Sequence, residues 1–397
     1  MLVRDNSGRL PALDGMRGIA ILLVLIWHYF VGTLQTEPHS IADYAVACLG
    51  LTWTGVDLFF VLSGFLIGGI LLDQRRSNGY FKTFYVRRIC RIFPAYVLLL
   101  ILFVALLPLE SMLPWLLERP LPLLSYVTFT QNFVAALNND FGPHWLGITW
   151  SLAVEGQFYL LLPFVIRYCS YRRLPWFLSL AIATAVLLRL ALYYGNGPGT
   201  RAPYVLMPCR ADALLLGVLL AWMLRQPTTI RVLTTDHAKN TLHAALFVLL
   251  AGAAFLTIKD PSITSFGMIS LGYTWMALLY SCFLLIVLTQ KDGVLHTIAN
   301  NLLLRRLGTI AYGVYLLHQG MLGLTHGLIL HQEPGIVGVD DALITLFALA
   351  LTLTLATLSY HYFESRIVQM GHAFRYQDAY SPVIRLTGML RRSEEKA

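Results

Sequence analysis

The stretch LGLTWTGVDLFFVLSGFLIGGILL, residues 49–72, decides how this chain folds. It carries a single charged side chain, Asp57, and at about 1.5 Å of rise per residue it is long enough as a helix to cross a hydrocarbon layer of about 30 Å. Windows of similar apolar density place helices at 17–36, 49–72, 84–107, 148–167, 174–194, 205–224, 241–258, 265–289, 306–330 and 340–363. Composition agrees: 57% of the 397 residues are hydrophobic and 13% charged, against about 25% charged in an ordinary soluble domain. Mean hydropathy is +0.65. The expected architecture is all-α, a polytopic bundle of about ten transmembrane helices.

Between the third and fourth spans, residues 108–147 carry Pro108, Pro114, Pro120, Pro122 and Pro143. Proline removes a helical hydrogen bond, so the apolar stretch around 123–137 reads as a re-entrant or surface-lying piece and not as a full span. The apolar run after the first sixteen residues is too long for a signal-peptide core and lacks a small-residue cleavage site, so it stays as a helix. The chain then divides into an N-terminal segment 1–16, a membrane domain 17–365 and a basic tail 366–397. The five cysteines, Cys48, Cys90, Cys169, Cys209 and Cys282, are odd in number and show no metal-ligand spacing. Neither a disulfide framework nor a bound metal is expected.

The net charge of +8 does not point to nucleic acid, because the basic residues mark sidedness. Outer segments hold only Arg119, Arg201 and Lys259, Arg189 and Arg210 lie within spans, and the rest of the 29 Lys and Arg fall on the opposite side. Cytoplasmic loops retain such residues, which places both termini in the cytoplasm of what is expected to be a bacterial inner-membrane protein.

Within the spans lie His28, Asp57, Glu155, Arg189, Arg210, Asp212 and His318. A charge at the bilayer centre costs roughly 2.5–3.5 kcal/mol on insertion scales, so each needs a partner or a wet cavity. His28 is eleven residues past Arg17, ~16 Å of helix rise and within about 20° of the same direction, so one groove could touch both. His318 reaches a similar depth on the ninth span. Arg210 and Asp212 are two apart, point to opposite sides and must each find a partner on another helix. Gly64 and Gly68, four apart, read as a close helix contact.

Plainer readings exist for each. His318 reads equally as a hydrogen-bonded structural residue, Asp14 as a helix N-cap, Arg87, Arg88 and Arg91 as anchors on the positive side, and the arginine–acid cluster as a folding brace.

Motifs then narrow the choice. LDGMRGIA (13–20) through His28, GVDLFFVLSGFLI (55–67) and TWSLAVEGQFY (149–159) resemble the membrane acyltransferase-3 family. So do RRICRIFPAY (87–96), TQNF (130–133), RADALLLG (210–217), YGVYLLH (312–318) and YHYFE (360–364), an ordered set covering nearly the whole chain. One departure is Ser365-Arg366, where relatives often place a proline soon after the acid; it bears on the end of the last helix.

The resemblance implies an integral membrane O-acyltransferase with no permanently bound cofactor. It takes an acyl group, acetyl above all, from acyl-CoA as co-substrate on the cytoplasmic side. The acceptor is a hydroxyl of a glycan or of a glycosylated small molecule. Larger members carry an appended esterase-like domain, for which this chain has no room, so the membrane domain is expected to complete the transfer alone or hand the group to a partner. Besides donor, acceptor and bilayer, self-association into a homo-oligomer is left open.

Acyl transfer needs a base for the hydroxyl proton, a stabiliser for the oxyanion and an anion site for the donor. His28 is the natural base, with Glu155 or Asp57 to orient it. Arg17, Arg87, Arg88 and Arg91 suit the donor's phosphates. Arg210, Asp212, Tyr159, Trp150, His318 and Asn132 are expected to contact substrate. The outer segment adds Trp115, Tyr126, Gln131, Asn138, Asn139, Asp140, His144 and Trp145, suited to sugars or, equally, to interfacial anchoring. The rival reading is a transporter or flippase whose intramembrane charges serve translocation; it predicts an inverted repeat, and none is evident.

Overall fold

The structure is a computed structural model that describes residues 10–376; the outermost parts of the expected terminal segments, 1–9 and 377–397, lie outside the described residues. Ten long helices form it: α1 (Pro11–Ile26), α2 (Gly55–Asp73), α3 (Tyr80–Leu106), α4 (Trp150–Tyr168), α5 (Leu174–Asn196), α6 (Met207–Met223), α7 (Asp236–Lys259), α8 (Tyr273–Thr289), α9 (Leu302–Thr325) and α10 (Val339–Ser359). No strand occurs among the described residues; one isolated bridge joins Leu34 to Ile336.

Nine of the ten are parts of helical stretches long and apolar enough to cross a membrane. The exception is α9, which carries Arg305, Arg306, His318 and Gln319. It packs inside the bundle against α1 and α10, where His318 is buried by protein, while Arg305 and the exposed Arg306 lie near its N-terminal end. By contrast, α7 leaves Phe247, Val248, Leu250, Phe255 and Ile258 exposed on the outside, as a lipid-facing helix should.

Small residues set the closest crossings. A Cβ on Gly308 would fall 1.7 Å from the Asp14 carbonyl oxygen, so α9 presses backbone to backbone on α1. One on Gly64 would fall 1.9 Å from the Leu214 carbonyl oxygen, and Gly68 likewise faces Val218, so α2 crosses α6 at the pair of glycines read from sequence. Residues 108–147 form only short helices, the longest being Gln131–Asn138 with eight residues, in keeping with their prolines. The first span starts earlier than its apolar run. α1 opens at Pro11 with Leu10 as its cap, so Asp14 is not the cap residue; it lies in the first turn and accepts a 2.8 Å hydrogen bond from Arg17 Nη1.

Candidate active site

Five helices surround a cavity of about 120 Å³. Arg17 comes from α1, Phe59 and Ser63 from α2, Arg88 and Arg91 from α3, Glu155 and Tyr159 from α4, and Tyr312 and Tyr315 from α9. Neither Arg88 nor Arg91 makes an ion pair among the described residues, and Glu155 makes none either. The Ser63 and Tyr159 hydroxyls hydrogen-bond to each other beside Glu155. Arg17 is paired with Asp14, so the unpaired Arg88 and Arg91 against the one lining carboxylate make this a cationic cavity, suited to an anion.

Arg87 belongs elsewhere. Its Nε donates to the Phe374 carbonyl oxygen at 2.9 Å and its guanidinium lies 5.2 Å from the Tyr376 ring, so it secures the segment after α10 and does not line the cavity.

At the far wall, the Tyr315 hydroxyl meets the Ser151 hydroxyl at 2.6 Å and donates to the Ile148 carbonyl oxygen at 2.9 Å. Its ring is 5.6 Å from that of His318, which is 4.8 Å from that of His28. The two imidazoles are joined through His28 Nδ1 and His318 Nε2 at 3.3 Å. The helical stripe shared by Arg17 and His28 predicts one groove along α1 that touches both. In the structure the cavity takes in Arg17 and ends at Tyr315, with the histidine pair behind it. From Trp27 to Val31 the first span is π-helical, which departs from the 100° per residue on which the shared stripe was reckoned. His28 itself is intermediate in burial, unlike His318, which is fully buried.

The carboxylates do not orient His28 directly. Asp57 is fully buried and pairs with Arg210, whose guanidinium lies 4.0 Å from the Tyr273 ring centre. Asp212 accepts from Arg189 Nη1 at 2.8 Å and from the Thr274 hydroxyl, while Arg189 also donates to the carbonyl oxygens of Ile269 and Cys209. Arg210 and Asp212 thus do find separate partners on other helices. Asn132 is buried and donates to the Val205 carbonyl oxygen at 3.1 Å and to Gln157. Trp150 stands edge-on to the lining Phe60 at 6.1 Å and against Tyr204 at 4.4 Å. Of the residues expected to contact substrate, Tyr159 alone lines the cavity, and the others stand behind its walls. Ser151 and Tyr315 were not foreseen. Tyr315 had a legible signal, since it precedes His318 by three residues and shares its helix face.

Comparison with known proteins gives one consistent direction. The chain is 29% identical over 386 residues to YrhL of Bacillus subtilis (strain 168), which carries the provisional name of a peptidoglycan O-acetyltransferase; the match covers 91% of this chain and 55% of that protein. It is 26% identical to the peptidoglycan O-acetyltransferase OatA of Listeria monocytogenes serovar 1/2a, over 93% of this chain and 57% of the relative. A provisionally named O-acetyltransferase of Staphylococcus aureus (strain MRSA252) is 27% identical, over 94% of this chain and 60% of its own length. The chain therefore spans little more than half the length of these relatives. No solved structure matches it. Residues 10–361 match the family described as Acyltransferase domain, which speaks against the transporter reading. This integral membrane protein belongs to that acyltransferase family.

Proposed function

We propose that the protein transfers an acetyl group from acetyl-CoA to a sugar hydroxyl of a cell-wall glycan, with His28 as the base. Peptidoglycan is the acceptor to which the relatives' names point. The observation that carries this reading is the cationic cavity, in which Arg17, paired with Asp14, and the unpaired Arg88 and Arg91 face one lining carboxylate, Glu155, and a polar wall leads to two histidines.

Arg88 and Arg91 take the donor's phosphates in bidentate fashion, with Arg17 beside them. The thin, uncharged pantetheine arm runs past Ser63 and Tyr159 toward Tyr315, carrying the thioester toward the histidine pair. Ser63 and Tyr159 are hydroxyl donors of the kind that stabilises a developing oxyanion. Tyr315 stands between this end and the histidine pair, so its side chain turns aside when the donor enters. His28 takes the acceptor's hydroxyl proton as the oxygen attacks the thioester carbon, and coenzyme A leaves as the thiol. Trp150, Asn132, Arg210 and Asp212 hold the walls from behind. Both termini face the cytoplasm of the bacterial inner membrane, the donor's side, and the 17–365 unit carries the chemistry.

The test is mass spectrometry of cell-wall glycan from cells expressing the protein or His28→Ala. The wild type adds acetyl mass and the variant, present in the membrane at the same level, adds none. Acetylation undiminished in that variant would end the reading.

A further inference from the structure

The two histidines form a pair whose protonation pattern is dictated by backbone carbonyls. We infer that His318 is a positioning residue: its Nε2 lone pair accepts from the Nδ1–H that the Val24 carbonyl fixes on His28, and so orients the ring whose Nε2 is left bare to act as the base. The inference rests on the reading of His28 as the base, and assigns His318 to that imidazole instead of to substrate.

His318 Nδ1 lies 2.7 Å from the Tyr315 carbonyl oxygen, which can only accept, so that nitrogen carries the proton. In neutral His318, Nε2 is then an acceptor. His28 Nδ1 lies 3.0 Å from the Val24 carbonyl oxygen, which again can only accept, so His28 also carries its proton on Nδ1. That N–H is shared between the Val24 oxygen and His318 Nε2 at 3.3 Å. His28 Nε2 makes no hydrogen bond among the described residues and is left as the free lone pair.

The rest of the site fixes the pair in place. His318 is fully buried, and the Tyr29 hydroxyl donates to its carbonyl oxygen at 2.9 Å and meets the Thr352 hydroxyl at 2.8 Å. Tyr29 follows His28 directly, so one contact ties the π-helical turn of the first span to α9 and to α10. When the acceptor's O–H bond breaks, its proton forms the Nε2–H bond of His28. The imidazolium then donates from Nδ1 to two acceptors, one of them an uncharged imidazole. As the C–S bond of the thioester breaks, the departing sulfur takes that proton and His28 returns to its starting form. His318 cannot pass a proton onward, because its Nδ1–H faces a carbonyl. Its contribution is orientation, the part a carboxylate plays in other base–orienter pairs, done here without a second buried charge.

The test compares His318→Gln, whose amide oxygen can reach the position of Nε2, with His318→Asn, which is equally polar but too short, in membrane vesicles given radiolabelled acetyl-CoA and cell-wall glycan. The expected result is a kcat for His318→Asn about 10–100-fold below that of His318→Gln, with the KM for acetyl-CoA alike in both, by analogy with the loss of an orienting partner. Equal kcat values in the two variants, or a loss confined to KM, would overturn the inference. Should either variant fail to reach the membrane, His318→Leu against His318→Met repeats the comparison without an acceptor: kcat low in both supports it, and wild-type kcat in either overturns it. His28→Ala assayed alongside separates the two ideas. If that variant is inactive while His318→Asn keeps wild-type kcat, the base stands and the positioning role falls; if His28→Ala is active, the base itself is wrong.

Discussion

Arg189 and Arg210 lie wholly buried and each meets one carboxylate, whereas Arg88 and Arg91 are only partly buried and meet none among the described residues. The same residue type is used in two ways. Where α5, α6, α8 and α2 meet, every guanidinium is matched by an acid; Arg189 has a partner for each of its three nitrogens, while Arg210 meets Asp57 through Nη2 and its Nε and Nη1 make no hydrogen bond among the described residues. Where α1, α3 and α4 meet, cations outnumber acids around an open volume. A matched pair has its charge already countered within the protein, while an unmatched cluster in a cavity is an invitation to an anion.

The comparison breaks first at the matched pairs. Asp212→Ala leaves the Arg189 cation buried without its carboxylate and is expected to cost about 3–5 kcal/mol of stability. Thermal unfolding in detergent reads this as a large drop in melting temperature. Replacing both Arg189 and Asp212 with apolar residues of similar volume should recover most of the loss, since such swaps are often neutral. A single-site variant that melts like the wild type would mean that the pair is solvated and not a brace.

The second test is at the unmatched cluster. Arg88→Ala with Arg91→Ala should leave the melting temperature nearly unchanged but raise the KM for acetyl-CoA more than tenfold, from about 1.5–3 kcal/mol for each charged hydrogen bond lost. Titration of donor in membrane vesicles reads the change. Added salt should weaken the wild type toward the variant. An unchanged KM would reduce both arginines to markers of sidedness.

These two clusters also show what sequence can reveal. That Arg210 and Asp212 must part company follows from helix geometry, and so does the Gly64 contact, because both depend on spacing within one helix. Depth is legible in the same way, which is why His28 and His318 could be placed at similar levels. Which helices are neighbours is not legible from one chain. The choice of Asp57 for Arg210, of Asp212 for Arg189 and of His318 for His28 is made by the packing of α2 on α6 and of α1 on α9. Local detail hides the rest. The π-helical turn at Trp27–Val31 has no mark in the apolar pattern, and neither does the placing of Tyr315 between the cavity that holds Arg17 and the histidine pair.

The smallest expected effect is at Arg87, and it tests whether the three arginines of RRICR act together. Arg87 and Arg88 are adjacent, so their side chains leave α3 about 100° apart. Arg88 points with Arg91 and Ile92 into the cavity. Arg87 turns toward the side on which Cys90 meets Gly371, where a Cβ on the glycine would fall 2.9 Å from that of Cys90. There it holds Phe374 and Tyr376 by one hydrogen bond and one cation–π contact. Such contacts are worth about 0.5–1.5 kcal/mol each near a surface. Arg87→Ala should therefore leave the KM for acetyl-CoA within about twofold of wild type, far less than the change at Arg88 and Arg91. It should also speed protease cleavage near Phe374, since the segment loses its tether. A KM rise equal to that of Arg88→Ala would show that donor binding draws Arg87 round from the tail, and the division between cavity and tether would then hold only for the empty protein.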